Sequence, residues 1–225
     1  MKILSSSIDK GAVALMPRVQ FEGRIEVVRT RADMVRALRF LRRQHVVGID
    51  TETRPSFSAD KVYQVALLQV STLDVCFLFR LNYLGLPEEL LDFLSSDDCL
   101  KVGLSLRDDI RSLCGRASFS MGSYMELQQE AARYGLMDRS LLKLYANLFH
   151  QRISKRQQLS NWEAKELTDA QKVYAATDAW ACLKIYRCFE NFKKYHNYKT
   201  ISPVDETRLQ EHVVQDMLAA SLPHG

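Results

Sequence analysis

Acidic residues stand beside short apolar segments at three places in this sequence, and their carboxylates are its strongest candidates for chemistry. Asp50 and Glu52 follow the apolar segment VVGI at residues 46–49. That segment predicts a short buried strand ending before Asp50, and ligand sites in open α/β sheets form at the carboxyl ends of strands. Residues two apart on an extended chain project from the same face. Both carboxylates should therefore enter one region.

The other acids stand on predicted helices. Asp108 and Asp109 follow the predicted strand KVGLSL at 101–106 and open a helix. Asp178 lies on a long predicted helix, four residues after Tyr174, so the phenol and the carboxylate share one helix face. Each acid also has a simpler interpretation. The first pair could be turn residues, the second pair could complement a helix dipole, and Asp178 could be a solvated helix residue.

If these acids converge in one pocket, they cannot all stay ionised unless cations bind there. Two carboxylates about 4 Å apart repel by roughly 4 kcal/mol at an effective dielectric constant of about 20. Four such groups therefore either take up protons or bind metal ions. Oxygen-only ligands suit Mg²⁺ or Mn²⁺ rather than Zn²⁺. A pair of such ions forms the known clamp for in-line attack on a phosphodiester, activating water and stabilising the leaving oxygen.

The elements that must position the acids follow an α/β pattern. Strands are predicted at 24–28, 46–49 and 100–104, and a hairpin at 62–70 and 75–81. Helices are predicted at 30–43 and 87–94, and the chain is largely helical from about 106. Thr168 and Gln171 fit a capping box that starts a helix running from Asp169 to about Phe192.

Composition and charge are those of a globular protein. The 225 residues are 47% hydrophobic and 26% charged, with a net charge of +4, which excludes disorder for the bulk of the chain and permits a polyanionic partner. Five scattered cysteines favour buried thiols over a zinc site or disulfides. The N-terminus lacks a signal-peptide pattern and no apolar run is long enough to cross a bilayer. We expect an intracellular, cytoplasmic protein with no membrane partner.

Three motifs in this order resemble those of the DEDD superfamily of 3′–5′ exonucleases: VVGIDTET (46–53), KVGLSLRDDIRSL (101–113) and LSNWEAKELTDAQKVYAATDAWACLKIY (159–186). Tyr174 in a third motif without histidine resembles the tyrosine-bearing branch, which includes ribonuclease D and the Werner-syndrome exonuclease domain. The resemblance implies an α/β fold with a ribonuclease H-like mixed sheet flanked by helices in a single domain. It also implies a metal-dependent 3′–5′ exonuclease that releases nucleoside monophosphates from a nucleic acid with a free 3′ end.

The resemblance further implies roles for individual residues. The implied ligands of two divalent cations, Mg²⁺ or Mn²⁺, are Asp50, Glu52, Asp109 and Asp178. Asp50 would bridge both ions. Asp109 fits the second motif better than Asp108, which stays the alternative. Tyr174 would orient the attacking water, because a phenol with a pKa near 10 is a poor base at about pH 7.

Candidate contacts to the nucleic-acid strand flank the motifs. Lys155 and Arg156 precede the third motif and Arg54 follows Glu52. All three could reach phosphates or could simply be surface residues. Leu104 could wedge a terminal base, although ordinary packing is the simpler interpretation.

We expect a loosely held arm over residues 1–20, an exonuclease domain over 21–195 and a partly helical C-terminal extension over 196–225. We expect a stand-alone protein, similar to small bacterial members of the family, and the sequence leaves its protein partners open. Two alternatives stay open: a nucleic-acid-binding module of the same fold without turnover, and an unrelated α/β domain with well-separated surface acids. DNA and RNA are equally open, because no motif reads the 2′-hydroxyl.

Overall fold

Strands and helices alternate along the chain in the computed structural model, which describes residues 2–58, 61–202 and Asp205. The strands are β1 (Lys2–Ser5), β2 (Arg24–Val28), β3 (Val46–Thr53), β4 (Val65–Ser71), β5 (Val75–Arg80), β6 (Leu100–Gly103), β7 (Tyr124–Glu126) and β8 (Tyr198–Ile201). The helices are α1 (Lys10–Leu15), α2 (Arg31–Leu41), α3 (Leu81–Leu84), α4 (Glu88–Ser95), α5 (Leu106–Cys114), α6 (Leu127–Arg133), α7 (Leu141–Phe149) and α8 (Asp169–Tyr195). Most predicted elements are confirmed, β7 was not predicted, and the helix expected near 206–218 lies outside the described residues.

Six of the strands form one mixed sheet in the order β2-β5-β4-β3-β6-β7. Strand β4 is antiparallel to both of its neighbours, β3 and β5, and the other pairs in the sheet are parallel. The predicted hairpin is therefore present as β4 and β5. Helices α2, α4 and α5 bury their apolar residues against one face of the sheet, and α8 covers the other. This is the predicted mixed sheet flanked by helices.

Strand β3 continues further than the sequence predicted, because β4 pairs with it beyond Ile49. Asp50 lies opposite Gln69 and Glu52 lies opposite Leu67, with a register shift only after Glu52. The acids are therefore inside the strand rather than in a turn after it. The extended backbone places both on the same face as Gly48.

The N-terminal residues are not the loosely held arm that the sequence suggested. Strand β1 pairs in parallel with β8, so the two ends of the described chain form a second, two-stranded sheet. Asp9 caps α1 by accepting hydrogen bonds from two backbone amides of the first turn. The long-range pairing could not be read from a segment that has no periodicity of its own.

Helix α8 crosses the face of the sheet that carries the two acids of β3. Its first turn has the predicted capping box, in which the Thr168 and Gln171 side chains bond each other's backbone amides. The helix approaches β3 closely at Gly48, where an added Cβ would meet the carbonyl oxygen of Ala179 at 1.9 Å. Glycine at this position thus permits the contact that brings Asp178 beside β3.

We expect Gly48→Ala to destabilise the protein by about 3 kcal/mol, because the new methyl group must push α8 away from the sheet. The matched control is Gly115→Ala, at the end of α5, where φ is −66° and an added Cβ would lie 3.2 Å from the carbonyl oxygen of Ser112. Urea unfolding of both variants measures the difference. Equal stability of the two variants would show that the close approach is not required.

Candidate active site

Three carboxylates converge at the contact between β3 and α8. One oxygen from each of Asp50, Glu52 and Asp178 lies within 4.8 Å of the others. The first two acids project from the α8-facing side of β3, and the third comes from the helix packed there. The clustering contradicts the alternative of an unrelated domain whose acids lie far apart at the surface.

The two neighbouring acids of the second motif have different surroundings. Asp109 is partly buried and accepts a hydrogen bond from the hydroxyl of Thr51, which stands between the two acids of β3. Asp108 points to solvent and pairs with Arg111 at 3.0 Å. Asp109 therefore borders the cluster, as the motif spacing predicted, although it is not among the three acids within 4.8 Å.

Glu126 on β7 fixes the start of the helix that carries Asp109. Its carboxylate accepts hydrogen bonds from the backbone amides of Ser105 at 2.9 Å and Leu106 at 2.7 Å. These amides would otherwise be unpaired at the N-terminus of α5, where a negative charge is also favoured by the helix dipole. The role of Glu126 is not predictable from the sequence, because β7 is three residues long and has no pattern of its own.

Burial and mutual repulsion raise the pKa values of the clustered acids. Burial raises the pKa of Asp50 well above its usual value, and the charges of Asp109, Asp178 and Glu52 add to the effect. Burial raises the pKa of Glu52 to about 9, and the charges of Asp178 and Asp109 contribute to the increase. Burial raises the pKa of Asp109 to about 6 and that of Asp178 to about 7. The metal-free cluster therefore holds protons near neutral pH.

Tyr174 lies one helical turn before Asp178 and faces the same cluster. Burial raises the pKa of its phenol, and the nearby carboxylates of Asp178 and Glu52 raise it further, so the hydroxyl stays protonated. The ring packs against the fully buried Trp162, with the ring centroids 6.0 Å apart. This packing orients the hydroxyl toward the acids.

A cleft of about 360 Å³ opens beside the carboxylates. Lys155 and Leu104, both predicted as substrate contacts, line it, and the positive charge of Lys155 acts to lower the pKa of Asp178. Arg139 and Gln158 line the same cleft and were not predicted. They lie in irregular segments, where only the tertiary structure decides which side chains reach the cleft.

Two other predicted contacts lie outside this cleft. Arg54 lies in a separate groove, where it pairs with Glu163 at 3.4 Å and stacks over the Tyr63 ring at 4.7 Å. Arg156 lines a second groove beside Tyr174. The structure therefore separates Arg54 and Arg156 from the cleft that holds the acids.

The clustered side chains fit a hard divalent cation. Their ligand atoms are all carboxylate oxygens, which suit Mg²⁺ or Mn²⁺ in oxygen-rich sites. They are also close enough that binding of a cation would remove their mutual repulsion. Asp50, Glu52 and Asp178 could thus hold a metal ion between them.

The chain belongs to the 3′–5′ exonuclease family, whose model matches residues 25–192. The match covers most of the sheet and all the elements that supply the acids. It confirms the resemblance to the DEDD superfamily that the three motifs indicated.

Individual relatives agree with this family. The chain is 34% identical over 119 residues to exonuclease 3′-5′ domain-containing protein 2 of Drosophila melanogaster, covering 51% of this chain but only 20% of the fly protein. The Nibbler EXO domain of Aedes aegypti is similar in structure, with a TM-score of 0.70 and 23% identity over 79% of this chain and 92% of that domain. RNase D of Trypanosoma brucei, solved with RNA U12, has a TM-score of 0.67 and 17% identity over 82% of this chain and 66% of that chain.

These comparisons give no support to the expected bacterial origin. The curated relatives that the chain matches come from fly, mouse, human and Arabidopsis thaliana. Within the described ranges, no helix combines the length and the apolar character needed to cross a membrane.

We expect the metal-free protein to lose stability as pH rises from about 5 to about 9. The pKa of Glu52, about 9, and those of Asp178 and Asp109, about 7 and 6, exceed the usual carboxylate values. The folded state therefore binds more protons than the unfolded state, and its advantage is present at low pH and lost as pH rises through these values. Urea unfolding in EDTA across this range measures the loss.

In EDTA at about pH 8, Asp50→Asn should raise the melting temperature by about 2–6 °C, because it removes one crowded charge. Asp108→Asn, at an exposed acid, is the control and should change it little. A flat pH profile, or a destabilised Asp50→Asn variant, would contradict the electrostatic crowding.

Proposed function

We propose that this protein hydrolyses phosphodiester bonds at the 3′ end of a nucleic acid, releasing nucleoside monophosphates with the help of two divalent cations. The observation that carries the proposal is the convergence of Asp50, Glu52 and Asp178 within 4.8 Å, inside the region 25–192 that matches the 3′–5′ exonuclease family. Such a cluster is unfavourable without cations, and a fold retains it where the cations have a use.

The acids would share the work of holding the two ions. Asp50, Glu52 and Asp178 would hold them through their clustered carboxylate oxygens. Asp109, which accepts a hydrogen bond from the Thr51 hydroxyl at the border of the cluster, would supply a further carboxylate ligand. Bound divalent ions supply an activated water and neutralise the charge that develops on the phosphate and the leaving oxygen.

Tyr174 would position the attacking water rather than remove its proton. A phenol whose pKa is raised by burial stays protonated at neutral pH, so it can donate or share a hydrogen bond but is a poor base. Its packing on Trp162 limits the positions that the hydroxyl can take. Fixed orientation of the nucleophile is a large part of the rate that such sites can provide.

The proposed partner is a single nucleic-acid strand with a free 3′ end. The cleft offers Lys155 and Arg139 for phosphates and Leu104 for a base or sugar. The structural neighbour RNase D was solved with an RNA oligonucleotide. A panel of single-stranded DNA, recessed and overhanging duplex DNA, and RNA, each with Mg²⁺ or Mn²⁺, would determine the preferred substrate.

With a 5′-labelled strand and Mg²⁺ or Mn²⁺, we expect stepwise shortening from the 3′ end and no shortening in EDTA. Asp109→Asn should lower the rate by about 10³-fold or more, because it removes a ligand of one ion. Asp108→Asn is the matched control, one residue away at an exposed position, and should keep near wild-type activity.

Metal-independent binding of the strand without any product would instead favour the catalytically silent module. An equal loss of nuclease activity in Asp109→Asn and Asp108→Asn would contradict the assignment of the second-motif metal ligand to Asp109.

Tyr174→Phe should lower kcat by about 10–100-fold with little change in KM, because water loses its orienting hydroxyl while the strand contacts remain. The ring and its packing on Trp162 are kept, so the folding stability should stay close to that of the wild type. Steady-state kinetics on a short labelled strand gives both constants. An unchanged kcat would remove Tyr174 from the mechanism.

A further inference from the structure

A second groove, of about 390 Å³, lies between Tyr174 and the N-terminal segment. Its polar lining includes the basic residues Arg18 and Arg156 and the acidic residue Asp169. Tyr174 and Ser154 line both this groove and the cleft that holds the carboxylates. The groove and the cleft therefore share part of their walls.

The wall that carries Arg18 is fixed in place by long-range hydrogen bonds. Arg152 donates from its backbone amide to Pro17 at 2.9 Å, and its carbonyl accepts from Val19 at 3.0 Å. The Arg152 guanidinium also donates to the Met16 carbonyl at 2.9 Å. At the far end, the Phe21 amide donates to the Thr177 hydroxyl on α8 at 3.0 Å, one turn beyond Tyr174.

The groove has an unneutralised positive charge. Within the described part of the chain, no carboxylate lies within 4.0 Å of the guanidinium of Arg18 or Arg156, and both residues are exposed. Asp169 also lines the groove, but it pairs with Lys172 at 3.0 Å. Two exposed guanidinium groups thus line a groove that shares Tyr174 with the acidic cleft, and guanidinium groups are well suited to binding phosphate.

We propose that this groove binds a second backbone phosphate of the nucleic-acid strand, one or more nucleotides from the bond that is cut, through Arg18 and Arg156. This inference rests on the proposed function, since it extends the path of the same substrate. It adds a contribution from outside the family's matched region, which begins at residue 25. The N-terminal segment thus becomes part of the substrate-binding surface.

The test measures binding rather than turnover. An Asp50→Asn protein in EDTA is titrated with a fluorescent single strand of about 12 nucleotides at several salt concentrations. Arg18→Ala in this background should weaken binding by about 3–10-fold and make the slope of log K against log salt shallower by about 0.7, the value for one lost phosphate contact on a single strand. Arg18→Lys should keep the slope, because it keeps the charge.

The matched control is Arg133→Ala, at an arginine of α6 that is equally exposed and pairs with Glu130 at 2.7 Å. It should leave both affinity and slope unchanged. Arg156→Ala provides a second test of the same groove and should also reduce the slope, while circular dichroism shows whether each variant is folded. An Arg18→Ala protein with wild-type affinity and slope overturns this inference, even if nuclease activity is found. Absence of nuclease activity with a normal loss of binding in Arg18→Ala would instead refute only the proposed function.

Discussion

The close contact between α8 and β3 is the constraint on which the site depends. The helix can lie this near the sheet because residue 48 is a glycine, whose missing Cβ leaves room for the Ala179 carbonyl. The neighbouring residue on the helix, the buried Asp178, is thereby brought against the half-buried Asp50 and Glu52, and their like charges repel one another. The arrangement that could hold a cation therefore lowers the folding stability of the protein while no cation is bound.

Two further residues hold in place the groups that border this contact. Glu126 caps the helix that carries Asp109, and Trp162 holds the ring of Tyr174. Neither residue reaches the ligand oxygens, yet each fixes a group that borders them. Such supporting contacts determine whether side chains stay within the narrow tolerance that positioning of a nucleophile requires.

The N-terminal segment forms part of the surface beside the site. It pairs with β8 at one end and with Arg152 at the other, and between these attachments it places Arg18 beside Tyr174. A domain defined by residues 25–192 alone would lack this wall of the groove. The basic residues around the acids thus come from parts of the chain that are far apart in sequence.

The sequence by itself determined the order of most strands and helices, the family and the residues of the acidic cluster, because apolar periodicity, capping residues and motif spacing are local properties. Asp109 could be preferred over Asp108 for the same reason, since helix register follows from the motif. Only the tertiary structure decided that Asp50 and Glu52 lie inside a strand, that residues 2–5 pair with 198–201, and that Arg54 and Arg156 lie outside the cleft. Those outcomes depend on pairing and packing between distant segments, where no single segment contains the information about its partner.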